Sequence, residues 1–535
     1  MGKMRKILAL CLAALLLCGC GRFNTETVLR KLMTGGDLVR YEDMKYVRPD
    51  MARVQAALDA VCEAAEGEDP DRVLEQIYAF YDLYDSYFTN YSLADIKYCA
   101  DMTDIYWSGE YSYCMENSAA VEAALEEMYY ALAKSPRREA LESEDYFGAG
   151  YFDSYEGENQ WDGEFTALLE RESALQNRYY ELSEAGLSYE SGTEEYYDAC
   201  ADGLMEVLVE LIRVRQEQAA AWGYSSYPQF AAELYYYRDY TTAQTDVFLD
   251  DIKRELVPLY RQVNESGYWD GAYRYGSERE TLRYVRSAAK AMGGTVEDAF
   301  ALLETAGLYD IGYGENKYDT SFEVYLTSYY EPFIFMNPTQ TQYDCLSFAH
   351  EFGHFCCDYA SYGSYAGTDV LEVFSQGMEY LSLCYGDDTE DLTKMKMADS
   401  LMLYVEQAAF ARLEQEMYTL TGDNLTAENL TALYDRIALE YGFDSTEYDP
   451  REFVDISHYF TNPMYIISYV VSNDAAMQLY QMEQQEPGAG LRCFEENLTT
   501  EAAYFLEFLE SAGLESPFAD GRIAEIRATF EAILN

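Results

Sequence analysis

The chain has 535 residues, 49% hydrophobic and 25% charged, which is too apolar for a disordered polymer and enough for a large buried core. Its 37 Lys and Arg stand against 96 Asp and Glu, a formal net charge of −59, so nucleic acid and anionic membrane surfaces find no clustered cations to bind. Length alone allows roughly two to four domains, or one helical body with two lobes, and only three histidines are available for chemistry.

The first twenty residues read as a processing signal. Lys3, Arg5 and Lys6 precede an apolar run, Ile7–Leu17, too short to anchor stably in a bilayer. It ends in Leu17-Cys18-Gly19-Cys20, which resembles a bacterial lipoprotein box. That resemblance implies a signal peptide over 1–20, lipidation of Cys20, and a body held outside the cytoplasm by an N-terminal lipid anchor. Residues 21–45, with Gly35-Gly36 and little periodicity, read as a tether. Of the twelve cysteines, nine remain after Cys11, Cys18 and Cys20, and no CxxC pair has zinc-site spacing. Buried thiols are expected.

From Pro49-Asp50 the chain turns helical, with Val54, Ala57, Leu58, Val61 and Ala65 at 3.6-residue spacing. Ser118 is expected to open a further helix with Val121, Leu125, Met128 and Leu132 on one face. Gly148–Asp162, rich in Gly and acidic residues, reads as a loop or lobe boundary, and the chain divides into an expected N-terminal helical lobe, 46–200, and a catalytic domain, 201–535. Helical patterns cover about 163–184, 203–222, 243–264, 279–292, 396–421 and 500–512, the last stopped by Gly513. Strand signal is confined to Phe322–Leu326 and Phe333–Met336. No internal repeat emerges. Most of the 54 tyrosines are expected to pack their rings with the hydroxyl toward water. The fold class is mainly α with one small sheet.

The chemistry concentrates in Ser347-Phe348-Ala349-His350-Glu351-Phe352-Gly353-His354-Phe355. On a helix, His350 and His354 lie one turn apart and present both imidazoles to one point. A divalent ion there takes a nitrogen from each ring. Glu351, one residue round the helix, can take a proton from water activated by the ion, the arrangement of zinc-assisted peptide hydrolysis. A third ligand must come from elsewhere. No third histidine follows closely, and the next helix offers Glu372 and Glu379.

Glu372, Ser375 and Glu379 reproduce an E-x-x-S-x-x-x-E segment, and with HExxH the sequence resembles the oligoendopeptidase F and thimet oligopeptidase family of zinc metallopeptidases. Ala221-Trp222-Gly223-Tyr224-Ser225-Ser226-Tyr227 resembles that family's helix end. Tyr330-Glu331-Pro332-Phe333-Ile334-Phe335-Met336-Asn337 is similar to its substrate-binding edge strand. His458-Tyr459-Phe460-Thr461-Asn462-Pro463-Met464-Tyr465-Ile466-Ile467-Ser468-Tyr469, followed by Ala475-Ala476, is similar to its C-terminal histidine-tyrosine segment. Four motifs in order span about residues 200–480. The resemblance implies a two-lobed helical fold with a deep central channel, and one zinc per chain on His350, His354 and Glu372. Glu379 would support a histidine from behind. Glu372 follows the histidines by fewer residues than the family usually has, so either the connecting loop is trimmed or Glu379 is the ligand. His458, Tyr465 and Tyr469 would donate to the reaction's oxyanion.

Together these readings predict an exported, monomeric zinc endopeptidase acting on short peptides. A zinc carboxypeptidase of related fold and a non-catalytic peptide-binding lipoprotein are the alternatives. The latter type is usually α/β, which the helical periodicity disfavours.

Overall fold

The computed structural model describes residues 38–534, except 68, 144–146, 157–162, 187–188, 190–192, 267–275, 364–365, 388 and 444–448. The signal segment 1–20 with Cys20, and most of the tether, lie outside the described residues. Helices dominate, as the periodicity predicts, around one small mixed sheet.

Asp50 opens α1 (Met51–Ala65) by accepting the Ala52 N–H, and Asp69 caps α2 (Pro70–Ala100). Pro70 sits in the first turn, where a missing N–H costs nothing. Asp104 caps α3 (Ile105–Ala133) through the N–H groups of Tyr106 and Trp107. The helix expected to open at Ser118 therefore already runs from Ile105. Ser118 lies mid-helix, its hydroxyl turned back to donate to Met115 O rather than capping. Val54, Leu58, Val61, Phe80, Val121, Met128, Leu132 and Phe152 bury together in one core. Ahead of α1, Tyr41 packs its ring on Phe333 at a centroid distance of 4.2 Å.

The larger core takes in the helices that follow: α4 (Gly163–Gly186), α5 (Glu194–Ala221), α6 (Tyr227–Leu234), α7 (Thr242–Glu255), α8 (Val257–Glu265), α9 (Glu278–Met292) and α10 (Gly294–Ala306). The single helix expected over 243–264 is two, broken at Leu256, because Pro258 has no N–H to give the carbonyl of Arg254.

The sheet has the order β1 (Tyr309–Asp310), β3 (Glu331–Met336), β2 (Ser321–Leu326). β1 runs parallel to β3, and β2 runs antiparallel to it with Ser321 opposite Met336. β3 is central and buried along its whole length, so it is not the edge strand expected of residues 330–337. A two-residue strand is too short to show a period, and β1 covers the side that the sequence left open. The edge beside the site is β2.

The remaining helices are α11 (Asp344–Ser361), α12 (Thr368–Tyr385), α13 (Glu390–Met417), α14 (Ala427–Glu440), α15 (Ile466–Gln485), α16 (Ala489–Asn497), α17 (Phe505–Ala512) and α18 (Arg522–Leu534). The helix expected from 500 starts at Phe505, where the Asp239 carboxylate accepts the N–H groups of Leu506 and Glu507. That cap comes from a distant segment, so local sequence cannot reveal it. Among the described residues no helix is long and apolar enough to cross a membrane, and all nine cysteines are free thiols.

A close helix–helix contact positions the chemistry. α12 runs antiparallel to α11 and is buried along most of its length between α11 and α15. A polar bolt fixes its first turn. Asp369 accepts from the Tyr240 hydroxyl at 2.6 Å and from Ser468 Oγ at 2.5 Å, and Arg238 Nε lies 3.4 Å away. At the crossing, a Cβ on Gly353 would lie 2.4 Å from Phe374 O and 2.5 Å from Ser375 Cα. Only glycine allows that approach. Gly353→Ala should therefore lower stability by about 1–3 kcal/mol through overpacking, although alanine is the better helix former by ~1 kcal/mol. Thermal unfolding of the metal-free protein measures this, and an unchanged or raised Tm would show that the helices part freely.

Candidate metal centre

The backbone contact at Gly353 carries α12 alongside the histidine face of α11. Phe348, Ala349, Phe352, Phe355 and Cys356 bury one side of α11, which leaves His350 and His354 on the other, their ring centroids 5.2 Å apart. Glu372 enters from the second turn of α12. Its Oε2 lies 3.5 Å from His350 Nε2, and its Oε1 lies 3.7 Å from His354 Nε2. One donor atom from each of the three residues falls within 4.8 Å of the others. A tetrahedral divalent ion bonded at about 2.0–2.2 Å needs its donors roughly 3.3–3.6 Å apart. The two nitrogens and the carboxylate fit such an ion with small side-chain adjustments.

Further side chains orient these donors. Glu379, two turns beyond Glu372 on the same face of α12, has Oε1 3.0 Å from His350 Nδ1. A carboxylate only accepts, so Nδ1 donates and Nε2 is left to face the ion. The Tyr465 hydroxyl donates to Glu372 Oε1 at 2.5 Å, and Ser375 Oγ donates to Oε2 at 3.0 Å. Ser321, at the start of β2, donates to Glu351 Oε1 at 2.8 Å. Sequence reasoning missed Ser321, since a serine opening a strand carries no local mark of the helix it will touch.

His458 belongs to a one-turn helix, His458–Thr461, just before α15. Its Nε2 lies 3.0 Å from the Tyr469 hydroxyl, and the Tyr465 and Tyr469 rings are 5.2 Å apart. The segment is anchored from behind by buried Arg215, which donates to the carbonyls of Tyr459 and Phe460 at 2.6 Å each. All seven residues singled out on the body, His350, Glu351, His354, Glu372, His458, Tyr465 and Tyr469, thus gather at one place. Tyr465 is engaged on Glu372. Tyr469, by contrast, lines an open cavity of about 320 Å³ shared with Ser321, His350, Glu351, Gln376 and Asp399.

The crowded carboxylates tune one another. Burial pushes Glu351 up to about 7, against the opposing pull of His350 and the Ser321 hydrogen bond. Burial also opposes a charge on His350, yet the Glu379 hydrogen bond and nearby Glu372 and Glu351 outweigh it and push the ring up to about 9. Burial holds His354 down at about 4, with Glu372 only partly offsetting it. Without a metal ion, one histidine is a proton store and the other a free ligand.

Comparisons with known proteins bear on the fold. Residues 41–161 match the Peptidase M3 N-terminal domain. A solved oligoendopeptidase F is 21% identical with a TM-score of 0.80, covering 93% of this chain and 98% of its own. PZ peptidase A with a bound inhibitor is 18% identical with a TM-score of 0.81, covering 93% and 99%. An oligoendopeptidase F from Bacillus anthracis is 19% identical with a TM-score of 0.76, covering 93% and 98%. The fold is that of oligoendopeptidase F. The domain match, over residues 41–161, is to the Peptidase M3 family. No curated protein matches the chain.

Metal binding should release protons. A histidine must be neutral to ligate, and His350 in the metal-free site keeps its proton until about pH 9. Between pH 7.5 and 8.5, binding should therefore expel close to one proton per ion, and affinity should rise about tenfold per pH unit. Both effects should fade through about pH 9 and be nearly gone by roughly pH 10. Titration calorimetry in buffers of different ionisation enthalpy counts the protons, and no release at pH 8 would contradict the site described.

Proposed function

We propose that this chain is a zinc-dependent endopeptidase that hydrolyses short peptides outside the cytoplasm. The observation that carries the reading is the convergence of His350 Nε2, His354 Nε2 and the Glu372 carboxylate, with Glu351 beside His350 on the wall of one cavity. Two imidazoles and one carboxylate suit zinc, and three protein donors leave a position open for chemistry. When bound, zinc supplies a Lewis acid that polarises a water molecule and the scissile carbonyl.

The protein's own groups move the protons. Glu351, held toward the cavity by Ser321, takes one proton from the attacking water at a carboxylate oxygen. The water oxygen bonds to the carbonyl carbon, and the carbonyl oxygen becomes an oxyanion. Glu351 then gives its proton to the amide nitrogen as the C–N bond breaks. A base pushed up to about 7 by burial is suited to both halves of that transfer near neutral pH. Tyr469 is the donor with access to the cavity, and His458, behind it, orients its hydroxyl. A hydroxyl aimed at the oxyanion is worth more to the transition state than to the bound substrate. β2 supports the peptide-binding part of the reading: Thr320 and Ser321 border the cavity, and an extended peptide would pair with this edge by main-chain hydrogen bonds.

Export and lipid anchoring are part of the same proposal, and they rest on Lys3, Arg5, Lys6, the run Ile7–Leu17 and Cys20. Metabolic labelling with a fatty-acid analogue should mark the wild type and not Cys20→Ala.

The deciding experiment is hydrolysis of a peptide blocked at its C-terminus, with and without a chelator. Internal cleavage that chelation abolishes supports the reading. A requirement for a free C-terminus would make the chain a carboxypeptidase, and binding without cleavage would make it a peptide receptor. Glu351→Gln should retain zinc and lose about 10²–10⁴-fold in kcat, since the ligands stay while the base goes. Metal analysis beside the assay checks this, and loss of the metal would give Glu351 another role. Tyr469→Phe should lower kcat by about 10²–10³ with KM held, as removing one oxyanion donor does. A rise in KM alone would make Tyr469 a substrate contact.

A further inference from the structure

Among the described residues Lys396 is the lysine buried beside the centre, and nothing in the motifs points to it. It lies in the first turns of α13 with 1% of its side chain exposed, and its Nζ sits 2.7 Å from Glu379 Oε2. The other oxygen of that carboxylate accepts from His350 Nδ1 at 3.0 Å. Asp399, one turn along α13, lies 3.8 Å from the same ammonium and accepts from the Tyr343 hydroxyl at 3.1 Å. Tyr343 directly precedes α11, the helix that carries His350. The Lys396 ammonium also lies 4.9 Å from the centre of the Tyr380 ring, within cation–π reach. A closed circuit therefore links three helices: His350 on α11, Glu379 on α12, Lys396 and Asp399 on α13, and Tyr343 back to α11.

A buried ammonium is costly unless it is paired and held by several partners. Lys396 has two carboxylates and a ring. Glu379 has two oxygens and two cationic or donor partners, one on each. With Nζ on Oε2, Oε1 is left to accept the His350 N–H, and turning the carboxylate away would leave Lys396 only the more distant Asp399.

We propose that Lys396 is a positioning residue of the metal centre. By fixing the Glu379 carboxylate, it sets the rotation of the His350 ring and so aims Nε2 at the point shared with His354 and Glu372. Lys396 borders the same cavity as Glu351 and Tyr469 but contacts none of the three ligand side chains, and it acts on the metal through Glu379. The inference rests on the metal-centre reading above.

The test compares zinc affinity by competition with a chromophoric chelator, using zinc alone as the probe. Far-UV circular dichroism and Tm of the metal-free proteins are measured alongside. Lys396→Met should bind zinc about 10–100-fold more weakly than wild type, as losses behind a ligand histidine do. Glu379→Gln should show a loss of the same size. The double variant Lys396→Met/Glu379→Gln should bind as Glu379→Gln does, since the lysine has no path to the metal except that carboxylate. Removing both members of the pair spares the fold an unpaired Glu379 charge, and Asp399, which loses its cation, keeps the Tyr343 hydroxyl. The comparison of double with single thus remains decisive if Lys396→Met alone does not fold. Lys396→Arg, which keeps the cation, should recover part of the affinity.

A Lys396→Met protein with lowered Tm but unchanged zinc affinity would overturn the proposal and leave the lysine a matter of stability alone. A further tenfold loss in the double variant relative to Glu379→Gln would also overturn it, by showing an effect independent of Glu379. A wild-type chain that binds no zinc would overturn the metal-centre reading and this proposal together.

Discussion

The centre depends on two antiparallel helices meeting at backbone distance. Without a side chain at Gly353, α11 and α12 approach until Phe374 O and Ser375 Cα fill the space a Cβ would need. That approach lets a carboxylate as short as Glu372 reach both histidine Nε2 atoms. It also brings Glu379, two turns further along α12, behind His350. Interaxial distance follows the side chains at the contact, and here one residue within the HExxH motif controls it. The Asp369 bolt to Tyr240, Arg238 and Ser468 then holds α12 against α15, so the tyrosine-bearing helix shares the same frame.

Charge is the second constraint. Glu351, Glu372, Glu379 and Asp399 converge around two histidines and a single lysine, in a chain that already carries −59. Burial makes such a set unfavourable unless cations enter it. In the metal-free protein a proton on His350 serves, and burial pushes Glu351 and Asp399 up to about 7 and 6. A divalent ion would relieve the same crowding. The features that hold the ligands therefore also favour taking up a metal, and the pairing of Lys396 with Glu379 keeps one carboxylate from competing for it.

Two of the donors were legible because they are local. The i, i+4 spacing of His350 and His354 is a property of one helix, and helix geometry puts both rings on one face whatever surrounds them. The N-terminal cap at Asp50 acts within a turn as well. Errors arose where partners come from elsewhere. A distant aspartate caps α17 at Phe505, and a two-residue strand makes β3 central rather than an edge. Ser118 has the residue type of a cap and the environment of a helix interior.

By itself the sequence determined the helical class and the i, i+4 histidine pair with Glu351 between them, because these rest on spacing along one helix; it left Glu372 and Glu379 both open as the third donor. It also determined the charge imbalance that any buried site must offset. Only the tertiary structure decided that Glu372 faces both rings while Glu379 sits behind one. It also decided that Ser321 holds Glu351, that Tyr465 is occupied by Glu372 while Tyr469 opens to the cavity, and that Lys396 lies buried among carboxylates. Each of these is a contact between segments far apart in the chain. Side-chain direction at such a contact is set by how closely two elements pack, a quantity that no local pattern of residues encodes.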